Sequence, residues 1–334
     1  MNTTCLQAFF GLACSSNSYQ QHKMKLLRLL FLPVLFFFSN NSFGQLEITN
    51  SKTENHIHQK GTQVFLQPPN GFETAANFLG FQNQLTGSSI MVIQMTGPYE
   101  EVIKGFTPEN MKTKGMTLLG REAVKINQQE GQLLWVKQFS PTHGYDFQKY
   151  TLVLKLGPKS TLIINGNFPE LQKEAMAESI RKCVLSAFIE KSLPVNPFAS
   201  VDFTIDLSNS VFKPSTKTMS GGLLLEGPNN EMMIVVKSIR AITTPDKKGA
   251  SINVLKTINT ITYVDLVDSK EIIQDGATGY QITANVLERG EKKKAIQAVL
   301  FGENYYYVFL VILPAQNKPL VSDFERILAS FKRK

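Results

Sequence analysis

From residue 64 onward, short apolar runs alternate with breaks that contain glycine or proline, and many runs are rich in β-branched and aromatic residues. Runs of this length and composition between tight turns are typical of antiparallel strands. In the first half of the chain they predict strands over 64–67, 89–95, 116–127, 132–139, 150–156 and 161–165. After Pro169 the apolar positions recur at helical spacing, which predicts a helix over 170–189.

A further helix is predicted between the strands over 89–95 and 116–127. Thr107 is a favoured N-cap, Pro108 fits the first helical position, and Glu109 places an acid in the first turn. Because glycine favours helix ends, this helix is expected to stop near residue 115.

The second half repeats this order of elements. It predicts strands over 232–239, 261–273, 280–287, 295–301 and 305–313, with helices over 250–259 and after Pro314. Gly157 and Pro169 are twelve residues apart, and so are Gly302 and Pro314. The shared order and spacing predict two divergent copies of one unit, with two unrelated α+β domains as the alternative.

A break between the halves sets the expected domain boundaries. Pro194 and Pro197 interrupt every periodic pattern, as linkers do. We therefore expect a first domain over 63–190, a linker over 191–199 and a second domain over 200–334.

The layout of each half carries a resemblance. An early apolar strand is followed by a helix, an aromatic-rich meander with a glycine turn, and a strand-proline-helix unit that ends in Ala187-Phe188 or Ser330-Phe331. This layout resembles the PsbP-like fold of the photosystem II extrinsic protein and the bacterial DcrB group. The resemblance implies an α+β class, with two tandem domains that are each an antiparallel sheet flanked by helices, an α/β/α sandwich. It also implies a binding or scaffolding role, and it carries over no site residue because no functional motif matches.

The N-terminal region has the pattern of a secretory signal peptide. Lys25 and Arg28 precede a ten-residue apolar run over 29–38, and the small residues Ser42 and Gly44 follow at positions −3 and −1 of the expected cleavage site. The run is shorter than the roughly 20 residues of a membrane-spanning helix. We expect Met24 to be the translation start, with residues 1–23 an extension that the protein does not carry and residues 24–44 a signal peptide. An uncleaved membrane anchor is the alternative.

The end of this segment, Phe-Gly-Gln, resembles signal peptides of Bacteroidota, which predicts a periplasmic or extracellular protein of a Gram-negative cell. The polar stretch over 45–62 is expected to be a flexible lead-in.

Composition narrows the class further. The chain has 334 residues, 43% of them hydrophobic and 19% charged, which excludes a disordered chain. Three cysteines are too few for a disulfide scaffold. Residues 1–44 carry three basic residues and no acid, so the net charge of +8 falls to +5 without them. Cys183 is then the remaining cysteine, and its helical context predicts a small buried hydrophobe.

Candidate catalytic and ligand-binding residues are few. The chain lacks a nucleophile elbow, a phosphate-binding P-loop, a zinc-protease motif and an EF-hand loop. His56 and His58 could form half of a metal site, but no Cys, Asp or third His stands nearby, so a surface position is expected. His143 lies in a predicted hairpin loop, where it is either solvated or, as the alternative, a general base.

Other polar groups are expected to serve the surface and the sheet. These are the acids Glu100, Glu101, Asp265, Asp268 and Asp275, the basic clusters 292–294 and 332–334, the Gly221-Gly222 turn, Trp135 and the run 305–307. The basic clusters could contact anionic lipid or glycan. In the run 305–307, Tyr306 should face opposite to its neighbours.

The sequence therefore predicts an exported, non-enzymatic binding or scaffold protein whose contact surface is the groove between its domains. The alternatives are a periplasmic small-ligand or lipid carrier, which needs an apolar cavity between sheet and helix, and a cryptic hydrolase built on His143 with a serine and an acid. We expect no catalytic, cofactor-binding or metal residue and no cofactor. The expected partner is a protein or an envelope component, with no nucleic acid and no stable membrane span after signal cleavage.

Overall fold

The computed structural model describes residues 45–141, 143–215, 221–239, 242–258, 260–314 and 318–334. The expected extension over 1–23 and signal peptide over 24–44 lie outside the described residues.

Within its described residues, the first half forms an eight-stranded sheet, a three-stranded sheet and three α-helices. The elements are β1 (Leu46–Ile48), β2 (Ile57–His58), β3 (Val64–Leu66), β4 (Glu73–Thr74), β5 (Gly80–Asn83), β6 (Ser88–Thr96), α1 (Tyr99–Lys104), α2 (Pro108–Lys112), β7 (Met116–Ile126), β8 (Gln129–Ser140), β9 (Tyr145–Gly157), β10 (Ser160–Pro169), α3 (Lys173–Leu185) and β11 (Phe188–Ile189). The large sheet has the order β1-β7-β8-β9-β10-β6-β5-β4, and only β1 pairs in parallel among its described strands.

The second half forms a seven-stranded sheet, a two-stranded sheet and two α-helices. The elements are β12 (Phe203–Thr204), β13 (Lys213–Pro214), β14 (Gly222–Glu226), β15 (Met232–Lys237), α4 (Lys247–Lys256), β16 (Ile261–Gln274), β17 (Ala277–Glu288), β18 (Glu291–Phe301), β19 (Tyr306–Pro314), α5 (Lys318–Ala329) and β20 (Lys332–Arg333). The large sheet is antiparallel throughout its described strands, with the order β13-β14-β15-β19-β18-β17-β16.

The two large sheets have the same connectivity. Seven strands of the first large sheet correspond one by one to the seven strands of the second. The first sheet has the order β4-β5-β6-β10-β9-β8-β7, and the second has the order β13-β14-β15-β19-β18-β17-β16. The short strand after each closing helix also pairs with a strand near the start of its half, β11 with β3 and β20 with β12. The two halves therefore share one strand order, which is consistent with the repeat expected from residue spacing.

Equivalent hydrogen bonds at the ends of the two closing helices, α3 and α5, show which of their residues correspond. The hydroxyl of Ser186 donates to Cys183 O at 2.7 Å, and that of Ser330 donates to Ile327 O at 2.7 Å. Ser186 therefore corresponds to Ser330, and Phe331 corresponds to Ala187. The match of Phe188 with Phe331 that the sequence predicted is wrong by one residue.

Both faces of each large sheet pack against helices. In β6, Val92 packs towards α3 while the next residue, Ile93, packs towards α1 and α2. In β15, Val235 packs in the core of α5 and Val236 in the core of α4. Because side chains alternate along a strand, one apolar run supplies two cores.

The aromatic residues follow the same alternation. Tyr306 packs in the core on the α4 side, whereas Tyr305 and Tyr307 pack on the α5 side, as predicted. Trp135 lies in β8, half-buried, and its indole N–H donates to Gln148 Oε1 at 2.8 Å.

Residues 45–62 differ from the expected flexible lead-in. Leu46 and Ile48 pack against the core through β1, and the Nδ2 of Asn50 donates to Leu185 O and Ala187 O at 2.8 and 3.0 Å. These carbonyls belong to the end of α3, where helix geometry leaves them without partners. Long-range pairing orders a segment whose own composition favours disorder.

Helix boundaries also differ from the predictions. Helix α1 was not expected, because Gly97 and Pro98 suggested only a strand end. Pro98 is its N-cap, and Glu100 and Glu101 lie in its first turn, where acids are favoured. Helix α3 ends at Leu185, four residues earlier than predicted, because the chain turns into β11.

Cys183 lies on α3 and its side chain is buried in the core, as predicted. Its side chain is 2% exposed, and burial raises the pKa of its thiol to about 12. Both facts make the thiolate, which is the reactive form, inaccessible in the folded protein.

We predict that Cys183 reacts with N-ethylmaleimide only when the protein unfolds. Raising the thiol pKa from 9.0 to about 12 lowers its thiolate fraction about a thousandfold at neutral pH. Peptide mass spectrometry should find Cys183 unmodified after native labelling and modified after labelling in urea. Complete labelling of the native protein would contradict the buried position.

A glycine in β10 allows α3 to approach the sheet. A Cβ on Gly166 would lie 2.2 Å from Ile180 Cγ2 and 3.0 Å from Val184 Cγ2. We predict that Gly166→Ala lowers the free energy of unfolding by about 1–3 kcal/mol, because the helix must shift. Gly157→Ala is the matched control, since a Cβ there meets no atom within 4 Å. Urea denaturation should separate the two variants, and equal midpoints would refute this packing.

Candidate functional site

A cleft lies where the two halves meet. Its volume is about 280 Å³, and its walls come from both halves. The first half contributes residues 57–60 and 74–80, and the second contributes 199–202, Gly221 and Lys237. The groove between the halves, expected as the contact surface, is therefore a concave feature of the described structure.

Glycine allows the backbones of the two halves to approach closely around this cleft. Gly221 has a φ of +70°, and a Cβ there would lie 2.9 Å from Asn77 O. Gly61 has a φ of +82°, and a Cβ there would lie 2.9 Å from Asn196 O. Both backbone conformations are ones that other residues rarely adopt. The Nδ2 of Asn77 also donates to Ile239 O at 3.3 Å, across the junction.

An ion pair forms the charged part of the cleft wall. Lys237, at the end of β15, is 9% exposed, and its Nζ lies 2.5 Å from Asp202 Oδ2. The same Nζ lies 4.0 Å from the centre of the Tyr305 ring. The hydroxyl of Tyr307 donates to Asp202 Oδ1 at 3.1 Å. A buried lysine is thus stabilised by a carboxylate and an aromatic face.

The C-terminus holds Asp202 in this position. The backbone N–H of Lys334 donates to Asp202 O at 2.8 Å, next to the pairing of β12 with β20. Burial and the nearby Asp202 carboxylate raise the pKa of Tyr307, so this phenol stays protonated.

The cleft residues that could carry chemistry are engaged by the backbone. His58 Nε2 lies 2.7 Å from Thr62 O, and its ring stacks on Phe65 at 4.7 Å. The hydroxyl of Ser200 donates to Pro197 O at 2.7 Å. Neither contact prepares a nucleophile, which requires a base at the hydroxyl. Besides the ion pair, the cleft is lined by apolar side chains such as Phe78 and by polar ones such as Asn77 and Lys60.

The expected surface position is wrong for His56, which is buried. His56 is 8% exposed: its Nδ1 accepts from the Thr53 backbone N–H at 3.0 Å, and its Nε2 lies 3.0 Å from Ser186 O. His58 lies in the cleft wall. Across the described residues, no group of three or more His, Cys, Asp or Glu side chains is placed to hold a metal ion.

His143 lies in the hairpin turn between β8 and β9 and is exposed, as predicted. Its Nδ1 lies 2.8 Å from Ser140 Oγ, so a serine and a histidine do meet. The nearby acid, Asp146, instead forms an ion pair with Lys137 at 3.0 Å. A serine and a histidine in an exposed turn lack the enclosure and the oriented acid of a hydrolase site.

The acids singled out in the sequence have surface partners. Glu100 pairs with Lys155, Glu101 with Lys104, Asp275 with Arg333 and Asp265 with Asn285, and Asp268 accepts from the Ser269 N–H.

Three members of the basic clusters have structural partners. Besides Arg333, which pairs with Asp275, Lys293 pairs with Glu291 at 3.0 Å, and Lys334 Nζ donates to Phe198 O and Val201 O at 3.0 and 2.8 Å. The C-terminal cluster therefore ties the chain end to the end of the linker and the start of the second half, a role that its sequence did not indicate.

No helix in the described part of the chain is both long enough and apolar enough to cross a membrane.

No family model matches the chain, and no curated protein matches it. Among solved structures it is similar to PsbP of Synechocystis sp. PCC 6803, at 15% identity and a TM-score of 0.28 over 40% of this chain and 82% of that one. It is also similar to LpqN, involved in cell envelope biogenesis of Mycobacterium tuberculosis, at 14% identity and a TM-score of 0.30 over 38% of this chain and 82% of that one. A third similar structure is the type VI secretion immunity protein TplEi of Pseudomonas aeruginosa, at 11% identity and a TM-score of 0.32 over 84% of this chain and 97% of that one.

With identities of 11–15% and TM-scores of 0.28–0.32, these similarities identify neither a family nor a function for this chain.

Proposed function

We propose that this protein is an exported, non-enzymatic binding or scaffold protein, built from tandem PsbP-like domains over 63–190 and 200–334. The observation that carries the proposal is the cleft at their junction, whose walls come from both halves. A partner held there touches both halves at once. The N-terminal pattern over 24–44 supports export, and a protein or envelope component is the partner that such a location favours.

The state of the polar groups in the cleft supports binding over catalysis. His58 and Ser200 are engaged by backbone carbonyls, and the charge of Lys237 is matched by Asp202. Sites of nucleophilic catalysis hold a nucleophile and a base in contact with each other. Groups that are already satisfied serve instead to keep the walls of a contact surface rigid.

The size of the cleft favours a macromolecular partner over a carried lipid. Its volume of about 280 Å³ is at the lower limit of the roughly 300–1,000 Å³ that is usual for small-ligand pockets. A lipid carrier also needs space between sheet and helix. Side chains such as Phe168 and Phe324, which are fully buried, fill those layers.

We predict that tryptophan at either wall of the cleft blocks partner capture. Ala76 and Ala199 are exposed and line the cleft from opposite halves, so Ala76→Trp and Ala199→Trp fill it without disturbing a core. Immobilised wild-type protein should enrich the same envelope components repeatedly, and quantitative mass spectrometry should find about a tenfold loss with each variant.

Ala123→Trp is the matched control, because Ala123 is an exposed alanine on β7 outside the cleft. It should capture like the wild type, and circular dichroism should find all three variants folded. Equal capture by the wild type and both cleft variants would refute the cleft as the contact surface. Turnover of ester or peptide substrates that is lost with Ser140→Ala would favour the hydrolase alternative.

A further inference from the structure

The outer edges of the two large sheets differ at one place. In the first half, β1 pairs in parallel with the end of β7, with Leu46 opposite Val124 and Ile48 opposite Ile126. In the second half, β16 corresponds to β7 and is the last strand of its sheet, since no described strand pairs with its outer edge. An open edge leaves a row of backbone N–H and C=O groups without sheet partners.

Matching turns align the two edges residue by residue. Strands β7 and β8 are joined by Asn127-Gln128, with φ of 46° and 68°. Strands β16 and β17 are joined by Asp275-Gly276, with φ of 49° and 74°. Because both are two-residue turns with positive φ, the stretch 124–126 corresponds to 272–274.

The central residue of this stretch is charged in the first half and apolar in the second. Lys125 in β7 forms an ion pair with Glu47 of β1 at 3.2 Å. The corresponding residue in β16 is Ile273, which is 70% exposed. Edge strands usually carry charges that discourage pairing, so an exposed isoleucine at this position favours a partner.

Only the last part of β16 can accept a strand. The pairing with β17 is irregular between Tyr263 and Asp265 and again between Leu266 and Asp268. Such bulges interrupt the edge and protect it against pairing. From Ser269 to Gln274 the pairing is regular, so this stretch presents an even row of backbone groups.

We propose that residues 269–274 of β16 form a docking edge for an extended segment of another protein, which adds a parallel strand as β1 does on β7. The segment is uncharged and apolar in the middle, because its central residue lies beside Ile273 rather than beside a lysine. The two residues that flank this central residue in the docked segment cover Ile272, which packs against the α5 core and is only partly buried. Backbone pairing supplies affinity, and the side chain beside Ile273 supplies specificity.

The test uses two labelled peptides that differ at one position. The first has the sequence of residues 45–50, Gln-Leu-Glu-Ile-Thr-Asn, and the second has valine in place of its glutamate. Fluorescence anisotropy with the purified protein should give saturable binding of the valine peptide, about tenfold tighter than the glutamate peptide. Amide exchange over 269–274 should slow in the complex.

Ile273→Lys restores the residue found in β7 and should reverse the preference. The valine peptide should bind about tenfold more weakly than to the wild type. The glutamate peptide should become the preferred one by about two- to fivefold, because of the opposite charge beside it. Because Ile273 is exposed, the variant should fold, which thermal unfolding checks.

Val264→Lys is the matched control, since Val264 is exposed on the same strand within the bulged stretch. It should leave the binding of both peptides unchanged. The proposal is overturned if neither peptide binds, if Ile273→Lys leaves the preference unchanged, or if Val264→Lys has the same effect. It is also overturned if sedimentation finds a wild-type dimer that Ile273→Lys abolishes, because a second copy then occupies the edge.

Discussion

Each large sheet of this protein is apolar on both faces, and the need to cover both faces determines the rest of the architecture. Alternate residues of one strand enter different cores, as Val92 and Ile93 do in β6 and Val235 and Val236 do in β15. A closing helix covers one face of each sheet, and an earlier helical segment covers the other. What remains open to partners is therefore the edges of the sheets and the junction between the halves.

The end of the closing helix explains why the two halves differ at one edge. In both halves a side-chain amide donates to two carbonyls there, from Asn50 to the end of α3 and from Gln274 to the end of α5. Asn50 follows β1, so in the first half the segment that satisfies the helix end also covers the edge of β7. Gln274 belongs to β16 itself, so in the second half the same contacts form without a covering strand.

Sequence patterns that extend over a few residues predicted most of the helices and strands but little of the cleft. The N-cap of α2 at Thr107, the alternation of the tyrosines at 305–307 and the burial of Cys183 follow from rules that act over a few residues. Strand β1 is different, because it forms by pairing with residues almost 80 positions away. No local pattern marks such a segment as ordered.

The ion pair in the cleft shows the same limit. Asp202 directly precedes β12 and Lys237 ends β15, and only the pairing of β12 with β20 and the sheet order bring them together. Tyr307, whose alternation was predicted, could have indicated that a polar group lies beneath it, since a buried phenol needs a hydrogen-bond partner.

The positions of the two proposed contact surfaces give a scaffold role a physical basis. Lys237 of the cleft ends β15, and the docking edge lies on β16, with β19, β18 and β17 between them. Neighbouring strands lie about 4.8 Å apart, so these surfaces are separated by roughly 20 Å across the sheet. A partner in the cleft and a strand on β16 therefore do not compete for space. Since the sheet between them is packed on both faces, it is rigid and holds the two partners at a fixed separation, which a flexible tether would not do.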